Sequence, residues 1–156
     1  MMPPPSRTVD YPFAVDANVV VGLVTSPAGR HLLETPLLDL SMATYAFDEC
    51  TRHLLRILLQ RGANGRATRA QVEAQHAEHV AFVTSLIRRV PPEDYAQHEA
   101  EARDRVPGDP DDWHTVALAL AFDTEIWTND RHFLGCGVPT WTNETLRRRL
   151  DAGRTP

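Results

Sequence analysis

Four acidic residues stand where a carboxylate could act on a substrate: Asp16, Glu49, Asp112 and Asp130. Asp16 follows the apolar run Phe13-Ala14-Val15. Glu49 lies early in the amphipathic run from Ala46 to Leu59. Asp112 closes the acid-rich Asp109-Pro110-Asp111-Asp112, and Asp130 follows Glu125-Ile126-Trp127-Thr128-Asn129. Each falls just after a predicted strand or near a helix start, and open α/β sheets build their sites at that edge. Four carboxylates brought close repel one another unless some are protonated or a cation sits among them. Hard oxygen donors in this number suit Mg²⁺ or Mn²⁺. Such an ion polarises a phosphoryl oxygen and acidifies a bound water.

Every one of these acids also has a local explanation. Asp109 before Pro110 reads as a helix N-cap with proline at N1. Asp111 and Asp112 then fall at N2 and N3, where the positive end of the helix dipole favours them. Capping accounts least well for Asp112, which helical spacing puts one turn before Val116 on the side shared with Ala119. Asp130 has the alternative of capping a short helix through Phe133, and Asp16 of capping the helix that follows it. Asn18 either holds a carboxylate or water in place or caps that helix. Glu49 has Arg52 and His53 at i+3 and i+4, so its alternative is a solvated ion pair. Thr128 and Asn129 flank Asp130 as supporting positions, as Asp109 and Asp111 flank Asp112.

These positions need an alternating frame of strands and helices. Phe13-Ala14-Val15 is the first strand; Val19 to Val24 continues apolar as strand or helix. A short helix over Arg30 to Glu34 stops near Pro36, and Leu38 to Met42 is the second strand. A helix begins at Thr44, and Gly62-Ala63-Asn64-Gly65 is a loop. Thr68 to Arg89 reads as one long helix ended by Pro91-Pro92, with His76 and His79 on a solvated face. Glu93 to Arg105 forms another polar helix. Glu125 to Thr128 and Val138 to Trp141 are strands, and Asn143 to Leu150 is a closing helix whose Arg147-Arg148-Arg149 is solvated surface.

With 156 residues, one domain over residues 11–150 is expected, between a disordered lead over 1–10 and a short tail over 151–156. No apolar run approaches the roughly 20 residues of a membrane span. The N-terminus lacks the basic and apolar regions of a signal peptide, so a cytoplasmic location is the expectation. Cys50 and Cys136 stand in no metal-type spacing and are expected as reduced thiols. A formal net charge of −5 argues against a broadly basic nucleic-acid binder, but not against a nuclease whose acids bind metal. All 16 basic residues are arginine, a bias that a GC-rich genome explains. No glycine-rich phosphate loop and no nucleophile elbow is present.

From about Phe13 onward the chain resembles the PIN-domain family, particularly the VapC-like ribonuclease toxins. The resemblance is carried by Val15-Asp16-Ala17-Asn18, the Glu49 helix, Asp109-Pro110-Asp111-Asp112-Trp113 with Ala117-Leu118-Ala119-Leu120, and Ile126-Trp127-Thr128-Asn129-Asp130. Gly135 to Thr142 extends it. It implies a three-layer α/β/α fold around a short parallel sheet and a Mg²⁺- or Mn²⁺-dependent endoribonuclease. Asp16, Glu49, Asp112 and Asp130 would form its acidic site. It further implies an RNA substrate, a homodimer, and a cognate antitoxin protein covering the acidic groove. The polar segment from about Arg66 to Arg105 is a surface for either protein contact. Asn18 departs from the Ser or Thr of many relatives, and Asp109 and Asp111 leave open which of three acids binds metal. The alternatives are a PIN nuclease for RNA maturation or DNA cleavage, and a non-catalytic protein-binding module.

Overall fold

A computed structural model describes residues 11–153. The expected lead over residues 1–10 and the last three residues of the expected tail lie outside them. In chain order the elements are β1 (Tyr11–Val15), α1 (Ala17–Val24), α2 (Pro27–Leu33), β2 (Leu38–Ala43), α3 (Thr44–Gly65), α4 (Arg69–Leu86) and β3 (Ile87–Val90). Then come α5 (Glu99–Arg105), α6 (Trp113–Phe122), β4 (Glu125–Trp127), β5 (Thr140–Trp141) and α7 (Asn143–Ala152). The five strands form one parallel sheet in the order β3-β2-β1-β4-β5, flanked by helices. This is the expected α/β/α layering.

Covering a parallel sheet on both faces demands strands apolar on both sides. β1 meets the demand with Phe13, Ala14 and Val15 fully buried. Its neighbours are β2, with Phe13 opposite Leu40, and β4, with Ala14 opposite Ile126. The strand order reverses direction between β1 and β4, so the loops leaving these two strands diverge and open a crevice at their carboxyl ends. Asp16 and Thr128 are the residues that leave them.

The apolar stretch Val19–Val24 resolves as helix α1. Three other segments differ from expectation. Gly62–Gly65 continues α3, which ends only at Arg66 in the left-handed region (φ 62°). Packing selects this: a β-carbon on Gly62 would stand 2.6 Å from the Val72 side chain, so the glycine lets α4 lie against α3. The expected helix through Arg89 stops at Leu86, and Ile87–Val90 becomes edge strand β3 beside β2, with Ile87 and Val90 buried. Leu86-Ile87 continues the helical period, which hid the strand. The expected helix over Glu93–Arg105 is two 3-10 turns followed by α5, because Tyr95 is drawn fully into the core and bonds His114 Nδ1 at 2.9 Å.

Two surface assignments also change. His76 and His79 do not form a solvated face: His76 Nε2 donates to the Thr51 carbonyl (2.8 Å), and His79 is buried against the Arg30 guanidinium. Arg30 also pairs with both Glu78 oxygens, at 2.7 and 2.6 Å. Within the arginine run, Arg149 turns inward to Glu125 (2.8 Å) and lies over the Tyr11 and Trp141 rings, 4.4 Å from each centroid. Cys50 and Cys136 are free and buried.

The turn from α1 to α2 makes a test of close packing. A β-carbon on Gly29 would stand 2.1 Å from the Leu23 carbonyl oxygen, whereas one on the exposed Gly22 meets nothing within 4 Å. Gly29→Ala is expected to cost about 1–3 kcal/mol through forced backbone movement. Gly22→Ala is expected to stabilise α1 by roughly 0.5–1 kcal/mol. Thermal melts of the two variants should shift in opposite directions; equal shifts would contradict the packing.

Candidate active site

Asp16 is the first residue past β1, in extended conformation at the N-cap position of α1, yet its side chain makes no capping bond. Its Oδ2 instead accepts a hydrogen bond from Thr128 Oγ1 at 2.9 Å, across the crevice from the end of β4. Thr128 Oγ1 in turn accepts from the Asp130 backbone N–H at 3.0 Å. One buried hydroxyl thus ties the exit of β1 to the exit of β4 and sets where Asp130 begins. Asp16 is only 7% exposed. Burial pushes its carboxyl up to about 6; the Thr128 bond works against that, while the charges of Asp130 and Glu49 add to it.

Asp112 does not occupy the third turn position of a helix begun at Asp109. Residues 110–112 form a turn, and α6 starts at Trp113. Asp109 Oδ1 accepts from the Asp111 N–H at 2.8 Å, a local Asx turn rather than a helix cap. Asp112 has helical backbone angles and its side chain caps nothing. Its Oδ2 is buried without a hydrogen-bond partner. The imidazole Nδ1 of His132 is 3.9 Å from this Oδ2, too far for a hydrogen bond. Burial raises the Asp112 carboxyl to about 7, helped by the charges of Asp109, Asp16 and Asp130 and opposed by His132.

Asp130 adopts its capping alternative. Its Oδ1 accepts from the His132 N–H at 2.9 Å and caps the 3-10 turn Arg131–Phe133. Its charge also reaches Asp16 and Asp112. Glu49 is exposed on α3; its charge bears on Asp16, and among the described residues it forms no ion pair with Arg52 or His53. The other flanking residues do less. Asn18 is exposed on α1. Asn129 Oδ1 accepts from the Asn143 N–H (3.0 Å) and so anchors α7 rather than the acids. Asp111 is exposed, and its carboxylate is the leading influence that raises the Tyr45 phenol.

His132 was not read from the sequence as a site residue. Ligand atoms of Asp109, Asp112 and His132 lie within 4.8 Å of one another. This triangle shares only Asp112 with the four predicted acids, so the two groupings meet at the carboxylate that lacks a partner. The signal was available: His132 stands two residues past Asp130, within reach of anything that Asp130 holds. Carboxylate oxygens with one imidazole, and an orphaned buried Oδ2, fit a divalent cation. An unpaired buried carboxylate is otherwise costly.

Thr128 offers a check on this assembly. Thr128→Val keeps the buried shape but leaves both Asp16 Oδ2 and the Asp130 N–H unbonded. The expected loss is about 1–3 kcal/mol per orphaned group, read as a lower melting temperature. Thr128→Ser should recover most of it. If valine melts like the wild type, Thr128 does not hold the two strand ends together.

Comparison with known proteins agrees with this architecture. The crystal structure of PAE2754 from Pyrobaculum aerophilum superposes with a TM-score of 0.60 at 18% identity, covering 94% of this chain and 99% of that one. At that identity the likeness speaks for the fold alone. No curated protein matches the sequence. The sequence pattern of the PIN domain matches residues 14–151, from the middle of β1 to the end of α7. Since that match spans nearly all of the described chain, the protein belongs to the PIN-domain family, whose members are generally metal-dependent nucleases.

Proposed function

We propose that this PIN-domain protein is a Mg²⁺- or Mn²⁺-dependent endoribonuclease, and that it is the VapC-like toxin of a type II toxin–antitoxin pair. The observation that carries the nuclease reading is the Asp112 carboxylate: half-buried, its Oδ2 enclosed without a partner, and its pKa raised to about 7 chiefly by burial, with the charges of Asp109, Asp16 and Asp130 adding to it. A helix-capping role gives it nothing to do, and that speaks against the protein-binding module. In the proposal Asp16 and Asp112 are the primary ligands, and Asp130 and Glu49 complete the site. When bound, the ion would supply Lewis-acid stabilisation of the phosphoryl group and a more acidic water. The protein's own part is to hold the acids in register. Thr128 fixes Asp16, the Asp130 cap fixes its own carboxylate, and the burial of Asp16 and of Asp112 Oδ2 lowers the local dielectric so that charge is felt strongly. The imidazole of His132 stands beside this group, its Nδ1 3.4 Å from Asp130 Oδ1.

The toxin assignment rests on the sequence resemblance, and with it come a cytoplasmic location, a homodimer and an antitoxin seated over the acidic groove. Among the described residues no helix is long and apolar enough to cross a membrane. The test has two arms. Labelled RNA should be cut by the purified protein with Mn²⁺ or Mg²⁺ and not with EDTA, while single-stranded DNA of the same sequence survives. Induced expression should halt growth, and co-expression of the adjacent short reading frame should restore it. Cleavage without growth arrest would leave a ribonuclease that is not a toxin.

A further inference from the structure

We propose that the face of α3 from Tyr45 to Arg56 is a track for single-stranded RNA leading to the acidic site; this deepens the ribonuclease reading and rests on it. Glu49, Arg52, His53 and Arg56 recur at i, i+3, i+4 and i+7, one stripe of the helix, and together line an open groove of about 270 Å³. Glu49, at one end of the groove, is the residue whose charge reaches Asp16. The arginines of the groove differ from most others in the protein. Arg30, Arg69, Arg103, Arg105 and Arg148 are each paired with a carboxylate. Among the described residues Arg52 and Arg56 are paired with none; the Arg52 Nε donates only to the Asp48 carbonyl, at 3.2 Å. Both are exposed, so their charge is free for a polyanion.

Tyr45 stands one turn before Glu49 on the same stripe, near enough for the charges of Glu49 and Arg52 to act on its hydroxyl. Its ring stacks on His114, with centroids 4.3 Å apart and planes within 4°. His114 stacks in turn on Trp113 at 3.8 Å and is pinned by the Tyr95 hydroxyl. The half-buried Tyr45 is thereby the outer member of a rigid aromatic column that starts at the residues after Asp112. An aromatic platform beside unpaired arginines is the combination that holds unpaired bases and their phosphates. A duplex would offer its phosphates but no free base face to Tyr45, which favours single strands. A net charge of −5 makes a local cationic stripe the more necessary for approach to an acidic centre.

The test measures binding apart from cleavage. Labelled oligouridylate would be titrated by fluorescence anisotropy onto full-length Asp112→Asn in EDTA, over about 50 to 200 mM KCl. Adding Arg52→Ala and Arg56→Ala should weaken binding and flatten the slope of log affinity against log salt by about 1.4, roughly 0.7 for each lost phosphate contact to a single strand. Adding Tyr45→Leu should weaken binding roughly 5- to 100-fold at every salt concentration with the slope unchanged, and Tyr45→Phe should bind as the parent does. The pair Arg69→Ala and Arg148→Ala, removing the same charge elsewhere, should change neither. An unchanged slope in the Arg52/Arg56 variant, or an equal change in the control pair, overturns the track. RNA cleavage by the wild type, run alongside, separates the two readings. Cleavage with α3 variants that bind like the parent removes the track and keeps the ribonuclease; neither cleavage nor RNA binding removes both. Poly-glutamate bound through Arg52 and Arg56 in place of RNA would mark the face as a seat for an acidic protein and overturn the RNA assignment.

Discussion

Asp112→Asn is expected to abolish RNA cleavage while leaving the fold intact. Asparagine keeps the size of the side chain and can still accept a hydrogen bond, but it removes the charge that would hold a divalent ion. The loss of rate should exceed the roughly 10- to 100-fold typical of residues that only support a metal ligand. The variant should also take up Mn²⁺ far more weakly in a metal titration. Asp109→Asn is the internal control. Its carboxylate closes an Asx turn on Asp111, and asparagine makes that turn equally well. Substantial activity in Asp109→Asn beside none in Asp112→Asn would single out one acid of the three. Full activity in Asp112→Asn would remove it from the site, and loss of activity in Asp109→Asn would point to the Asp109, Asp112 and His132 triangle as the working ligand set.

The second large effect is on stability, and it follows from the same two carboxyls. Asp16 and Asp112 are raised from 3.8 to about 6 and about 7 in the fold. The folded chain therefore keeps protons that the unfolded chain has already released. The stability tied to them is fully present below about pH 4 and is lost as pH rises through 6 and 7. For Asp16 alone the rise corresponds to about 3 kcal/mol, or a melting temperature lower by roughly 5–10 °C in a domain of this size. His79 and His114, both held low chiefly by burial, act in the opposite direction over the same range. The informative quantity is therefore the difference between the wild type and Asp112→Asn, which cancels them. In EDTA the variant should melt progressively higher than the wild type as pH goes from 5 to 8. Mn²⁺ should close that gap at pH 8 by stabilising the wild type, and do little at pH 5, where protons compete for the ligands. A difference that stays constant with pH would mean that Asp112 ionises freely in the fold.

The two predictions draw on different levels of the molecule. That Asp16 and Asp130 sit at strand ends was legible locally, because Phe13-Ala14-Val15 and Ile126-Trp127 are short apolar runs that stop at polar residues. That β1 and β4 are neighbours was not local at all. It depends on a sheet order that skips two strands in the chain, and only that order brings the Thr128 hydroxyl to Asp16. The edge strand Ile87–Val90 was invisible for a related reason. Its side chains carry on the period of α4, and pairing with β2 is what makes the strand conformation the better one.

The sequence by itself determined the alternation of strands and helices, the positions of the four acids along it, and the family to which the chain belongs. Those follow from periodicity, from turn residues and from spacing, all of which act over a few residues. The tertiary structure decided which acids lack a local partner. Asp109 and Asp130 each close a turn on a neighbour two residues away, as their sequence contexts allow. Asp112 stands at the N-cap position of α6, yet its backbone is already helical, its side chain makes no capping bond, and packing encloses Oδ2 without a donor. Whether a carboxylate is solvated, bonded or stranded depends on what the rest of the chain places around it, and that enclosure is a property of the packed chain rather than of any stretch of sequence.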